Sequence, residues 1–245
     1  MGNANRDTFL AQIAQQLGRP VRHQPAAVPP PVCRYEKTRL ADLTLQQRCD
    51  AFVKLAQETL KVTCRLTREQ DAPAAVRELC QHSLQDHENN DDRHGNRTAV
   101  MVSGDARLQT LGITSALQEA FSAQVWDASQ GEVNIHAAEQ ADVGVVFAEY
   151  GLTESGGVVL FSAPERPRSL SLLPTSSIFV VRKSTLLPRV AQLAERLHQK
   201  AQSGERMPSC INLIGGPSST ADIELSKVIG VHGPVNAAYL IIEDD

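Results

Sequence analysis

The stretch YGLTESGGVVLFSAPERPRSLSLLPTSSIFVV, Tyr150 to Val181, decides how this chain is read. Two short apolar runs, Gly157 to Phe161 and Ile178 to Val181, bracket a polar connection that carries arginines. Both runs are rich in β-branched residues and bounded by Gly, Pro or Ser, the pattern of buried strands. A polar lip, Thr153-Glu154-Ser155-Gly156, stands at the mouth of the first run. An apolar strand needs no such lip, nor two arginines (Arg166 and Arg168) set beside Pro164 and Pro167. The stretch therefore reads as half of a binding site, and Gly215 to Pro234 reads as the other half.

Outward from it, strands and helices alternate. Upstream lie a strand over Asp142–Ala148, a short helix over Ile135–Gln140, a strand over Gln124–Trp126 and a helix over Leu108–Phe121. Before them, Thr98–Val102 is a strand ending in Ser103-Gly104-Asp105. Downstream, Leu186–Ala201 is a helix with Pro188 in its first turn. Ser209–Ile214 is a strand, Thr220–Val228 a helix and Ala237–Ile242 the last strand. Such alternation predicts βαβ units, so the fold class is α/β: three layers, α/β/α, around a mostly parallel sheet. Ligands of such sheets bind outside the carboxyl ends of the strands.

Nearer the amino terminus, Thr44 and Gln47 have capping-box spacing, and Leu45, Cys49, Phe52, Val53, Ala56 and Leu60 form a helical stripe. A strand over Val62–Leu66 and a helix over Asp71–Leu84 follow. Gln85 to Arg97 has no apolar residue and reads as an exposed loop; its His87 and His94 lie among acids without imposed ligand geometry. Residues 1–18 are expected to form a helical arm, with apolar Leu10, Ile13, Ala14 and Leu17 on one face. Residues 19–35 read as a Pro-rich linker and 36–245 as a single α/β domain.

Composition narrows the function classes. Aromatic residues make up only 4% of the 245, so the core must rest on Leu, Val, Ile and Ala. A net charge of −4 with no basic block argues against duplex nucleic acid, whose backbone demands clustered cations. No apolar run approaches the roughly 18 residues of a spanning helix. The polar amino terminus does not read as a secretory signal, so a cytoplasmic location is expected. The five cysteines include no C-x-x-C pair, so reduced thiols are expected, with no metal and no iron–sulfur site. No P-loop, G-x-S-x-G or G-x-G-x-x-G motif occurs, which leaves the cofactor unknown, with no flavin or nicotinamide fingerprint.

Several residues are candidates for chemistry. Gly215-Gly216-Pro217-Ser218-Ser219-Thr220-Ala221-Asp222 joins a strand to the helix expected at Thr220, and Ser219 and Asp222 have capping spacing. Amides at that helix start would hold a phosphate or carboxylate; the bland reading is a glycine turn with a capped helix. His232, between Val231 and Gly233, is a candidate acid or base, or a turn histidine bonded to backbone. Glu154 is a candidate nucleophile, base or hydroxyl binder, or a loop carboxylate paired with Arg168. Arg168 suits a bidentate grip on an anion. The ligand-binding set is thus Thr153, Ser155, Gly156, Arg168, Gly215, Gly216, Ser218, Ser219, Thr220 and Asp222, with Glu154 and His232 as catalytic candidates. The lip, Arg168 and the late bend are expected to share one pocket.

These residues resemble the LUD-domain family of lactate utilization protein C. Glu154-Ser155-Gly156 before an apolar strand is similar to that family's Glu-Thr-Gly segment. Arg168 with Ser171-Leu172-Leu173-Pro174 resembles its Arg…Ser-Leu-Leu-Pro segment. Gly216 to Glu224 and Gly230 to Pro234 match its late signature. Family members often carry Thr where Ser155 stands and His where Ser177 stands. The resemblance implies a fold like that of CoA transferases and sugar-phosphate isomerases. It also implies a part in oxidising L-lactate to pyruvate alongside iron–sulfur partner proteins, with an organic acid or nucleotide-like ligand. The competing reading is a free-standing enzyme on that fold, acting on a phosphorylated sugar, acyl-CoA or folate-like substrate through Glu154.

Overall fold

The structure is a computed structural model, and it describes residues 4–24, 27, 29–30, 32–34, 38–88, 99–221 and 227–244. It separates into two compact units, Met1–Tyr35 and Glu36–Asp245. The first contains helix α1 (Ala4–Gln16), which exposes Phe9 and Ile13 and is followed by exposed Leu17 and by Gly18 in the left-handed region.

The second unit begins with α2 (Leu45–Glu58), and the Thr44–Gln47 capping box is formed in both directions. Then come β1 (Thr63–Arg68), α3 (Ala72–Glu88), β2 (Val100–Val102), α4 (Ala106–Thr110), α5 (Ile113–Phe121), β3 (Gln124–Val125), α6 (Glu132–Glu139) and β4 (Val143–Phe147). β5 (Tyr150–Leu152), β6 (Gly157–Phe161), α7 (Ser169–Leu172), β7 (Ser176–Arg182), β8 (Leu186–Leu187) and α8 (Val190–Gln202) follow. The chain closes with β9 (Ile211–Ile214), β10 (Ser219–Ala221), β11 (Lys227–Ile229) and β12 (Asn236–Glu243).

Among the described residues the central sheet has six strands in the order β1-β12-β7-β4-β2-β3, every pairing parallel. Its inner strands β12, β7, β4 and β2 are buried on both faces, and alternate residues serve different cores. Val143, Val145, Ile178, Val180, Leu240 and Ile242 meet α3, α4 and α5 on one face. Val146, Phe179, Val181, Tyr239 and Ile241 meet α2, α6, α7 and a second sheet on the other. This is the three-layer α/β/α arrangement, with the second sheet set into one outer layer.

That second sheet, β8-β5-β6-β9, overturns the placing of Gly157–Phe161 and Ser209–Ile214 in the parallel sheet. β6 runs antiparallel to both β5 and β9. The lip between β5 and β6 holds only residues 153–156, and so short a connection permits only antiparallel pairing. Its outer face, with Leu152, Val159 and Leu187, packs against Leu193 of α8.

Other boundaries moved for local reasons. The helix expected over Leu108–Phe121 is broken at Gly112, whose φ is +68°. Pro188 stands before α8 rather than within it. An X-Pro step favours extended backbone, and Leu186–Leu187 pairs as β8 instead. α3 continues through Gln85 to Glu88, where a loop was expected; the rest of that loop, His94 included, lies outside the described residues. The helix expected over Thr220–Val228 is not formed at either end. Ser219–Ala221 pairs antiparallel with Lys227–Ile229, while Asp222 lies outside the described residues. Cross-strand pairing of the β-branched Thr220 and Val228 wins over a capping pattern that is only a weak local preference.

Candidate functional site at the carboxyl edge of the sheet

The chain leaves β2 toward β3 on one side and leaves β4 toward β7 on the other. β2 and β4 are neighbours, so the gap between their carboxyl ends is the topological switch point, where open α/β sheets hold ligands. Two loops meet there. After β2, Asp105 caps α4, taking a hydrogen bond from the Arg107 amide at 2.9 Å. After β4 comes Glu149.

Arg107 joins the two loops. Its guanidinium donates to Asp105 Oδ1 and Oδ2 (2.9 and 2.6 Å) and to Glu149 Oε2 and Oε1 (2.8 and 2.7 Å). It also lies 4.2 Å from the Phe147 ring centroid, over its face. Arg166 donates to Glu149 Oε1 and stands 3.8 Å from Asp105 Oδ2. Burial by itself pushes the Asp105 carboxyl up. The hydrogen bonds and charge of Arg107, with the charge of Arg166, together outweigh it and hold the group below the usual carboxylate range. Burial likewise disfavours charged Arg107, and Asp105 and Glu149 more than reverse that.

A cleft of about 450 Å³ opens over this cluster. Arg107, Arg166, Lys200 and Arg206 line it with positive charge, and Glu149 contributes a carboxylate. Its apolar wall includes Tyr150 and Phe161, edge to face with centroids 6.0 Å apart. A narrow crevice shares Phe161, Ser162 and Arg166 with the cleft and reaches Ser103, Arg168 and Asn212.

The residues singled out in the sequence divide between the two ends of β6. The lip lies at its start. The Thr153 amide donates to the Leu187 carbonyl at 2.9 Å; its side chain is buried, and its hydroxyl has no hydrogen-bond partner among the described residues. Ser155 Oγ accepts from the Gly157 amide at 3.3 Å. Gly156, φ +68°, presses on α2, where a Cβ would sit 2.7 Å from the Ala56 amide nitrogen. The late bend adjoins the lip. A Cβ on Gly157 would stand 2.8 Å from the Ile214 carbonyl, one residue before Gly215, and Gly216 rests against Leu60 and Val62. Ser218 donates its amide to the Pro234 carbonyl and accepts from the Gly230 amide, both at 2.8 Å. Gly233 packs against Ser218 and the Leu172 carbonyl. The Ser-Leu-Leu-Pro segment, the Gly-Pro-Ser bend and the His-Gly-Pro loop therefore meet, with Ser219, Thr220 and His232 exposed beside them. Arg168 groups instead with Leu160, Phe161 and Asn212. That is the far end of β6, about 10 Å away at some 3.4 Å per residue.

Glu154 pairs with Arg189, not Arg168. Its Oε2 accepts from Arg189 Nε and its Oε1 from the Val190 amide, each at 2.7 Å. It caps the first amide of α8 from a distant loop, and the negative charge suits the helix amino terminus. Glu154→Ala is expected to lower stability by about 1 kcal/mol, the usual loss for such a cap. A thermal melt unchanged from the parent would refute that role.

Asp105, Arg107, Glu149, Lys200 and Arg206 are not among the residues singled out in the sequence. The signal was present in two places, Ser103-Gly104-Asp105 after one strand and Glu149 after another, each at a carboxyl end.

The family profile for the LUD domain matches residues 51–242. The chain belongs to the LUD domain family. Among full-length relatives, the Escherichia coli K12 protein named "Uncharacterized protein YkgG" is 60% identical, covering 98% of this chain and 99% of its own. Lactate utilization protein C of Halalkalibacterium halodurans is 40% identical with 98% of each chain covered. That of Bacillus subtilis is 37% identical, with 98% of this chain and 97% of its own covered. A crystal structure of a DUF162 family protein from Deinococcus radiodurans shares the fold. Its TM-score is 0.55 at 16% identity, covering 82% of this chain and 99% of that one. In this protein Cys49, Cys64 and Cys80 lie on three separate elements, and burial, foremost, pushes the thiols of Cys64 and Cys80 up to about 12. Among the described residues, no three His, Cys, Asp or Glu side chains gather as a metal site, and no helix is long and apolar enough to cross a membrane.

Proposed function

We propose that this LUD protein is a cytoplasmic component of a system that oxidises L-lactate to pyruvate with iron–sulfur partner proteins. The observation that carries the reading is near-full-length identity of 37–40% to proteins named lactate utilization protein C. The cleft at the switch point supports a binding role. Cations on its wall suit an anion, and Glu149, fixed by two arginines, suits a ligand hydroxyl. In this reading the cleft takes an organic acid or nucleotide-like ligand, and the partner proteins carry the electrons.

Deleting the gene from its host should abolish growth on L-lactate while leaving growth on pyruvate intact, and the intact gene should restore it. A tagged chain should co-purify a protein with visible iron–sulfur absorbance. Equal growth of the deletion strain on lactate would overturn the reading, as would lactate oxidation by the purified chain alone.

A further inference from the structure

Lactate is small for this cleft. It has about six non-hydrogen atoms, whereas pockets of roughly 300–1,000 Å³ enclose drug-sized ligands. The cleft's volume of about 450 Å³ falls in that range. Its chemistry is divided. One wall is apolar and partly aromatic, formed by Tyr150, Phe161, Pro164 and Met207. Arg196 lies against the Tyr150 ring, 5.5 Å from its centroid, and Phe161 meets that ring edge-on, so the wall is held in place. The cations are not equivalent either. Arg107 and Arg166 are bound to Asp105 and Glu149, which largely neutralise them. Lys200 pairs with the exposed Glu205, and Arg206 has no ion-pair partner among the described residues. The uncompensated charge therefore lies at Arg206, on the chain just after α8, beside the Lys200–Glu205 pair at that helix's last turn.

We propose that the cleft binds a mononucleotide-sized ligand, with a flat ring against the Tyr150–Phe161 wall and a phosphate at Lys200 and Arg206. The inference rests on the cleft being the functional site, and it separates the bound ligand from lactate itself. A phosphate contacted by exposed cations is held in a salt-dependent way, while the ring adds affinity that phosphate alone lacks.

The test is calorimetric titration of the full-length chain with AMP, ADP, FMN, inorganic phosphate and L-lactate at moderate salt. At least one of the three nucleotides is expected to bind at least tenfold more tightly than phosphate or lactate. The double substitution Lys200→Glu, Arg206→Glu should weaken that binding at least tenfold without moving the melting temperature, and Tyr150→Ala should weaken the nucleotide but not phosphate. Three results would each overturn the proposal: no nucleotide binding below 1 mM, lactate binding as tight as any nucleotide, or nucleotide binding unaffected by the double substitution. The growth experiment is independent. Lactate growth that needs the gene, without nucleotide binding, removes this inference and keeps the proposed function; the reverse pattern removes the function and keeps the nucleotide.

Discussion

Replacing Gly144 with valine is expected to cost about 4 kcal/mol or more and to lower the melting temperature by about 10 °C, if the protein is recovered folded at all. Gly144 lies inside β4, flanked by buried valines. A Cβ there would sit 2.4 Å from the Leu170 carbonyl oxygen and 2.7 Å from Pro174 Cγ. Neither neighbour is a flexible side-chain end, so the segment carrying α7 must lift off the sheet. Leu170, fully buried, would then lose its packing, and the crevice beside Arg168 would deform with it. Gly144→Ala places the same Cβ and should already show most of the defect. Denaturant unfolding of both variants checks this, and an alanine variant as stable as the parent would mean that α7 does not seat on β4 as described.

The second large effect is expected at Arg107. Arg107→Leu removes four hydrogen bonds to two carboxylates and leaves Asp105 and Glu149 facing Arg166 alone. Asp105 is only 5% exposed, so it cannot turn to water. Losing one member of a buried charge cluster costs about 3–5 kcal/mol. The Arg107 side chain is 34% exposed, which brings the expectation down to about 2 kcal/mol. The Asp105 carboxyl is held below its unfolded value, so its contribution is complete above roughly pH 4 and is lost as pH falls through the folded value. Without Arg107 the folded value rises, and the acid unfolding transition should move to higher pH. Adding Glu149→Leu to Arg107→Leu should recover part of the loss, because it removes a stranded charge. Melting curves between pH 3 and pH 7 measure both effects, and an unchanged acid limb would show that the cluster contributes nothing to stability.

Much of the fold was legible because its signals are local. The Thr44–Gln47 box, the stripe behind it and the runs at Asp142–Ala148 and Ala237–Ile242 each depend on residues a few positions apart, and each formed its element with small boundary shifts. The second sheet was less legible. A short run of Gly, Val and Leu looks the same whether its neighbours are parallel or antiparallel. The clue was the four-residue lip, and it concerns a connection rather than a strand. The late hairpin was misread because Ser219 and Asp222 mimic a helix cap, a local preference that the pairing of Thr220 with Val228 overrides.

The sequence alone determined the layered α/β class, through the spacing of apolar runs, and membership of the LUD family, through motifs carried by consecutive residues. It also placed the lip beside the late bend in expectation, and the structure sets those segments against each other at one end of β6. Tertiary structure alone decided that Arg168 stands at the other end, that Glu154 holds the start of α8, and that Asp105, Arg107, Glu149 and Arg166 form one charged cluster. The reason is strand order. Residues 105 and 149 become neighbours only because β2 and β4 lie side by side, and a pairing made across 43 residues of chain leaves no mark in either local segment.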